Sequence, residues 1–223
     1  MTGTGRPEGR VRIDAHGAEL EGNLLVPEGA EGIVLFAHGS GSSRHSPRNK
    51  MVARHLRDRG LATLLFDLLT AEEDKVDRRT REHRFDIPLL AERLTGATDW
   101  LLDRPEAEGL SVGYFGSSTG SAAALIGATE RPGVVDAVVS RGGRVDMAQD
   151  AIPDVAAPTL MIVGGRDPQV LRLNEQAQPM FDCTVELKVV RGATHLFEEP
   201  GALEEVARLA GDWFGQHLAS DGE

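Results

Sequence analysis

Two adjacent serines, Ser117 and Ser118, lie in the stretch YFGSSTGSAAA (114–124). A nucleophilic serine can be placed at a sharp turn between a strand and a helix, where the residues two before and two after it come too close for side chains. Ser118 has Gly116 and Gly120 at these positions, whereas Ser117 would have a phenylalanine and a threonine there. The G-x-S-x-G spacing therefore predicts that Ser118 is a nucleophile.

Such a serine needs an adjacent base, because its hydroxyl is a weak nucleophile on its own. The chain has seven histidines, and His195, in VVRGATHLF, follows the last predicted strand and is the candidate base. His38, in the HGSG turn, is expected to order that turn rather than to move protons. Four others are predicted to lie in an early turn, in helices or in a charged stretch: His16, His55, His83 and His217.

The base in turn needs a carboxylate that fixes its tautomer and stabilises the imidazolium. Asp167, in MIVGGRDP, comes just after the penultimate predicted strand. The resulting chain order, Ser118, Asp167, His195, is one of the orders in which this triad recurs. Asp67 is the rival, because it ends an earlier predicted strand on the same edge. We favour Asp167 as the acid, which would leave Asp67 to cap its own loop.

Attack on a carbonyl creates a negative charge that backbone N–H groups must stabilise. One donor is expected from Thr119, the residue after Ser118, at the positive end of its helix. The other is expected from Ser40, in the loop AHGSGSSRHS after the third predicted strand. The alternative for this loop is a phosphate cradle, but GSGSSR lacks the last glycine of G-x-G-x-x-G and the chain contains no G-K-[ST].

The elements that position these groups alternate between strand and helix. Apolar runs predict an opening hairpin over 10–28 and buried strands at 32–39, 61–69, 110–117, 134–140, 157–165 and 184–190. Helices are predicted at 46–60, 86–103, 118–130, 170–178 and 201–218. This alternation predicts an α/β fold with a mostly parallel sheet and helices on both faces. Ligands bind at the carboxyl ends of such strands, where the candidate residues lie.

Two connecting segments bear on access to the site. The charged stretch TAEEDKVDRRTREHR (70–84) is expected to be a solvated loop or a frayed helix that partly shields the mouth. The segment 141–157 is too short for a cap domain, so we expect an open mouth. Aromatic residues make up only 4% of the chain, which argues against a large hydrophobic tunnel for long-chain lipids.

Arginines gather on the loops of the same edge in spite of a net charge of −11. Arg44 follows the candidate oxyanion loop and Arg141 follows the strand next to that of Ser118, so both are candidate substrate-binding residues. A guanidinium binds a carboxylate through two parallel hydrogen bonds, which would favour an anionic substrate. The alternative is that these arginines pair with nearby acids such as Asp146 and Asp150 or with the acidic stretch.

Length and composition restrict the class of protein. The 223 residues suit one domain (1–223), and the negative charge argues against nucleic acid or an anionic membrane as the main partner. The single cysteine, Cys183, excludes an intramolecular disulfide and a cysteine metal cluster. The opening MTGTGRPEGR lacks the apolar stretch of a signal peptide, so a cytoplasmic location is expected.

Four motifs, HGSG, GSSTG, GGRDP and GATHLF, occur in the order and spacing of the α/β-hydrolase superfamily, and the chain resembles its dienelactone hydrolase-like members. The resemblance covers nearly the whole chain. It implies a mostly parallel sheet of about eight strands and acyl hydrolysis without metal or cofactor. Dienelactone hydrolases proper use a cysteine nucleophile, whereas position 118 is serine, which favours a more ordinary esterase chemistry.

The sequence therefore predicts a cofactor-free serine hydrolase of small esters, lactones or related acyl compounds. A ligand-binding receptor of the same fold, in which the triad survives and turnover is incidental, is the alternative from another class. Steady turnover of a p-nitrophenyl ester would separate the two. The sequence carries no indication of oligomeric state.

Overall fold

The strands and helices occur in the predicted order along residues 9–219, which the computed structural model describes. The strands are β1 (Gly9–Ala15), β2 (Ala18–Leu25), β3 (Gly32–Ala37), β4 (Ala62–Phe66), β5 (Ser111–Ser117), β6 (Val135–Arg141), β7 (Thr159–Gly164) and β8 (Val185–Val190). The helices are α1 (Pro47–Asp58), α2 (Ala71–Thr80), α3 (Ile87–Leu102), α4 (Thr119–Glu130), α5 (Pro168–Ala177) and α6 (Ala202–His217). Most of the opening stretch on which the signal-peptide expectation rests lies outside the described residues.

The eight strands form one sheet in the order β1-β2-β4-β3-β5-β6-β7-β8. β1 pairs antiparallel with β2, and β2 antiparallel with β4, while all other neighbours are parallel. The predicted α/β fold with a mostly parallel sheet is confirmed. Because six strands run in parallel, their carboxyl ends meet at one edge, and the loops that carry Ser40, Ser118, Asp167 and His195 all leave from that edge.

Helices cover both faces of the sheet, which explains why several of its strands are buried along their whole length. Every residue of β3, β4 and β7 is buried. One apolar layer lies between the sheet and α3 and α4, and the other between the sheet and α1 and α6. The small side chains of α4, which include three consecutive buried alanines (122–124), bring this helix close to the strand that carries the candidate nucleophile.

The charged stretch 70–84 is more ordered than the sequence predicts. It forms α2, which begins at Thr70 with a reciprocal capping box: Thr70 Oγ1 accepts from the N–H of Glu73, and the Glu73 carboxylate accepts from the N–H of Thr70. Glu73 also pairs with Arg93 of α3 at 2.9 Å. Of the two predicted alternatives, the loop is wrong and the helix is observed, because capping and ion pairs stabilise a helix that has no apolar face.

The connection between β6 and β7 is as short as the sequence indicates. Residues 142–158 contain one kinked helical segment, Val145–Asp154, which packs against α4 and α5. No further domain is inserted at this point. None of the helices within residues 9–219 combines the length and the apolar character needed to cross a membrane.

Candidate active site

Ser118 lies at the turn between β5 and α4 in a strained backbone conformation, with φ 53° and ψ −118°. Strain of this kind costs on the order of 1–3 kcal/mol and is found at functional sites. A methyl group built at Gly116 would lie 2.5 Å from the Cα of Ser121, and one built at Gly120 would lie 2.2 Å from the carbonyl oxygen of Ala37. The predicted steric reason for glycine at both positions is thereby confirmed.

The neighbouring hydroxyl is occupied elsewhere. Ser117 is 1% exposed, and its Oγ donates a hydrogen bond to Oδ1 of the buried Asn49 in α1, at 3.1 Å. Ser118 is only half-buried. This geometry gives Ser117 a structural role between β5 and α1, and leaves Ser118 as the candidate nucleophile of the pair.

His195 and Asp167 are brought together by the loops after β8 and β7. Nδ1 of His195 lies 2.7 Å from Oδ2 of Asp167. A carboxylate can only accept, so Nδ1 carries the proton and Nε2 is left as an acceptor. The other carboxylate oxygen, Oδ1, accepts from the N–H of Val170 at 3.3 Å and so caps α5. The backbone of Gly142, directly after β6, lies close to the ring: a methyl group built there would lie 3.3 Å from Cε1 of His195.

Asp67, the rival acid, has different partners. Its Oδ1 accepts from the backbone N–H of Arg44 at 2.7 Å, and its Oδ2 forms a close ion pair with the Arg44 guanidinium. The same guanidinium also pairs with Glu21. The expectation that Arg44 binds substrate is therefore wrong, because both of its terminal amino groups are engaged by carboxylates. It holds the loop after β3 against β4 and β2.

The loop after β3 runs directly beside the candidate nucleophile. A methyl group built at Gly39 would lie 3.2 Å from the Cβ of Ser118. Ser40 follows in the exposed part of this turn. On the other side, Thr119 is the first residue of α4, so its N–H has no intrahelical acceptor. Thr119 is thus adjacent to Ser118 along the chain, and the turn that contains Ser40 comes close to Ser118 at Gly39.

His38 orders the same loop, as predicted. Its Nε2 accepts from the N–H of Leu68 at 3.0 Å, and its Nδ1 donates to the carbonyl oxygen of Gly39 at 3.0 Å. Burial lowers the pKa of this imidazole, which is 8% exposed. Both ring nitrogens of the neutral imidazole therefore form hydrogen bonds with the backbone. This leaves His195 as the candidate base.

Arg141 is buried and has no carboxylate partner within residues 9–219. It is 7% exposed, and among the described residues its Nε and Nη1 have no hydrogen-bond partner. Burial, reinforced by the charge of Arg48, lowers its pKa to about 10, so the guanidinium is still charged at neutral pH. Its Cζ lies 5.9 Å from the ring centroid of Phe197, two residues after His195. Burying a charged group in this way is costly unless a partner completes the site.

The other arginines of this edge are more fully engaged. Arg144 makes a bidentate pair with Asp146 at 2.8 Å, which is the pairing that the sequence leaves open as the alternative. Arg48 reaches the exposed Glu198 at 3.3 Å. Arg84, which the sequence does not single out, lies against the loop after β3. Its guanidinium is held by Asp77, which lies seven residues earlier, before the end of α2. Helical periodicity does not continue past the end of α2, so the sequence gives no sign of this contact.

The sequence and the structure are both similar to those of one protein family. The sequence profile of the dienelactone hydrolase family matches residues 20–217. A crystal structure of a dienelactone hydrolase from Anabaena variabilis is 57% identical, with a TM-score of 0.94, and the match covers 95% of this chain and 98% of that one. A dienelactone hydrolase-like promiscuous phosphotriesterase from metagenomic libraries is 20% identical, with a TM-score of 0.74 and coverage of 95% and 98%, and shares the fold.

A longer relative is also similar over nearly the whole chain. A protein of Mycobacterium tuberculosis with the provisional name of a phosphoribosyl transferase is 56% identical over 212 residues, which are 95% of this chain and 47% of the relative. The chain thus spans about half the length of the curated relatives that it matches.

Proposed function

The chain belongs to the dienelactone hydrolase family, and we propose that it is a serine hydrolase that cleaves small esters, lactones or related acyl compounds through an acyl-enzyme on Ser118. The observation that carries this proposal is the 2.7 Å contact between Nδ1 of His195 and Oδ2 of Asp167, at the same sheet edge as the strained Ser118. A base held by a carboxylate, next to a serine at a tight turn, is the arrangement that activates a hydroxyl.

The reaction would follow from the roles of these groups. Nε2 of His195 takes the proton from Ser118 Oγ as this oxygen attacks the carbonyl carbon. The resulting oxyanion accepts hydrogen bonds from the N–H groups of Thr119 and Ser40. The intermediate collapses when the leaving oxygen departs with the proton from His195. Water, deprotonated by the same imidazole, then attacks the acyl carbon. The bond to Ser118 Oγ breaks, Oγ takes the proton back from His195, and the carboxylic acid is released.

The name of the longer relatives describes whole proteins of about twice the matched length. The residues of this chain that support an activity, Ser118, Asp167 and His195, favour acyl transfer instead. A receptor of the same fold remains the alternative class. It would bind an ester without releasing product at a steady rate, so sustained release of p-nitrophenol from p-nitrophenyl acetate favours the enzyme.

A fluorophosphonate probe is expected to label Ser118. The Oγ of Ser118 would attack the phosphorus of the probe and displace fluoride. This attack requires His195 to take the proton from the Ser118 hydroxyl. Peptide mapping by mass spectrometry after labelling checks the site. Ser117→Ala should label as the wild type does, and Ser118→Ala should not label. Modification of another residue, or none in the active wild type, would remove the basis for an acyl-enzyme on Ser118.

We further propose that the substrate carries a carboxylate or a similar anion that Arg141 binds. The guanidinium is charged, almost fully buried and without a carboxylate partner among the described residues. An anionic group on the substrate would compensate the cost of burying this charge. A partly desolvated pair of this kind is stronger than a neutral hydrogen bond.

Arg141→Met is expected to lower kcat/KM for anionic substrates by about 10- to 150-fold, which corresponds to the roughly 1.5–3 kcal/mol of a charged hydrogen bond. The measurement uses two matched esters, one with a free carboxylate and one with its methyl ester, and the loss should fall on the first. Arg144→Met is the matched control, because Asp146 already neutralises that side chain. Equal losses on both esters would indicate that Arg141 serves the loop of Phe197 instead.

A further inference from the structure

The most polar helix of the protein contains a buried carboxylate. Asp77 is the buried residue of α2 and is 2% exposed. Its Oδ1 accepts from the N–H groups of His83 at 3.0 Å and Arg84 at 2.9 Å, and its Oδ2 accepts from Nε of Arg84 at 2.8 Å. Burial alone would raise its pKa, but these hydrogen bonds outweigh it and hold the pKa below its usual range. All of these contacts serve to fix one segment, 83–84.

Arg84 uses this support to reach the loop after β3. Its Nε bonds to the Asp77 carboxylate and its Nη2 to the Asp77 carbonyl oxygen at 3.1 Å, so the orientation of the guanidinium is set from two sides. A methyl group built at Gly41 would lie 3.1 Å from Nη1 of Arg84. Gly41 has a φ of +69° and directly follows Ser40, the candidate oxyanion donor.

Helix α2, which carries Asp77, is attached to helix α3. The capping box of Thr70 and Glu73 fixes the start of α2, and Glu73 also pairs with Arg93, whose side chain is 11% exposed. Arg93 belongs to α3, which packs on the sheet. The chain of contacts therefore runs from α3 through α2 to Asp77, from Asp77 to Arg84, and from Arg84 to the turn that carries Ser40.

We propose that Arg84, held by Asp77, is a positioning residue for the oxyanion site. It supports the Ser40–Gly41 turn so that the N–H of Ser40 faces the developing oxyanion, and it adds a fixed positive charge next to that turn. Preorganised donors and charges of this kind act on the transition state more than on the bound substrate. The inference rests on the proposed hydrolase function and assigns a role in it to the charged stretch 70–84.

Arg84→Met is expected to lower kcat for the neutral ester p-nitrophenyl acetate by roughly 10-fold, less than the complete loss of an oxyanion donor, with KM within about twofold. Affinity for a trifluoromethyl ketone should fall by the same factor, because its adduct with Ser118 carries the oxyanion. Asp77→Asn should reproduce these effects, and the double variant should be no worse than Arg84→Met, since the two residues act as one unit. Arg79→Met, an exposed charge loss on the same helix, is the control and should match the wild type.

Thermal unfolding of each variant separates positioning from stability. Should Arg84→Met not fold, Arg84→Lys replaces it: it keeps the charge but cannot bond to Asp77 in two places, and an intermediate loss of kcat is expected. Unchanged kcat in folded Arg84 variants overturns the proposal, as does a loss confined to KM or to anionic esters, which would make Arg84 a substrate-binding residue. Because these assays require an active wild type with a functional Ser118, their outcome is distinct from a failure of the proposed function itself.

Discussion

Ser118→Ala is expected to lower kcat by roughly 10⁴- to 10⁶-fold, the scale on which removal of a triad member acts. In the proposed mechanism, this variant lacks the oxygen that attacks the carbonyl and keeps the backbone N–H donors. The fold should be preserved, because alanine is smaller than serine and the turn is fixed by Gly116 and Gly120 rather than by the Ser118 side chain. Steady-state hydrolysis of p-nitrophenyl acetate, with thermal unfolding as the check on folding, measures the effect.

Ser117→Ala is the matched control, since it removes a hydroxyl one residue away. It deletes the hydrogen bond to Asn49, so a loss of stability of about 1 kcal/mol is expected with little change in kcat. A reversed result, with Ser118→Ala active and Ser117→Ala inactive, would show that the nucleophile is Ser117 and not Ser118.

Asp167→Asn is expected to lower kcat by about 10⁴-fold, because an amide that donates to Nδ1 stabilises the wrong tautomer of the histidine. In that tautomer Nε2 of His195 carries the proton and cannot accept one from Ser118. Stability should change little, since the amide oxygen of asparagine can still accept from the N–H of Val170 and cap α5. A large loss of kcat with little change in the unfolding temperature would identify Asp167 as the residue that orients His195.

The comparison variant is Asp67→Asn, which tests the rival acid. It weakens the ion pair with Arg44 and should affect the stability of the loop after β3 more than the chemistry. An active Asp167→Asn together with an inactive Asp67→Asn would show that the acid is Asp67, directly after β4.

The fold and the tight turn at Ser118 could be predicted from the sequence because their signals are local. Apolar runs that alternate with helical segments predict the sheet, and the steric demand of the turn at Ser118 requires glycines at fixed offsets. Capping gives another local signal: Thr70 and Glu73 have the spacing of a capping box, which would have predicted the start of α2.

The roles of the arginines depend on contacts that sequence patterns do not encode. Arg141 ends β6 and Arg44 lies in the loop after β3, both at the same sheet edge. Arg44 pairs with Asp67 and Glu21, whereas Arg141 has no carboxylate partner among the described residues. The partners of Arg44 lie 23 residues away in either direction along the chain. Arg44 is neutralised because the loop after β3 packs against β2 and the end of β4, where Glu21 and Asp67 lie.

Asp167 divides its two oxygens between the first turn of α5 and the imidazole of His195, with Val170 N–H at 3.3 Å and Nδ1 at 2.7 Å. The amide of Val170 is consequently a built-in spectroscopic reporter. In a ¹⁵N-labelled sample, its resonance should move whenever the charge or the hydrogen bonding of this carboxylate changes. The state of the Asp167 carboxylate, the proposed catalytic acid, can thus be followed by NMR in the resting protein through the backbone signal of Val170.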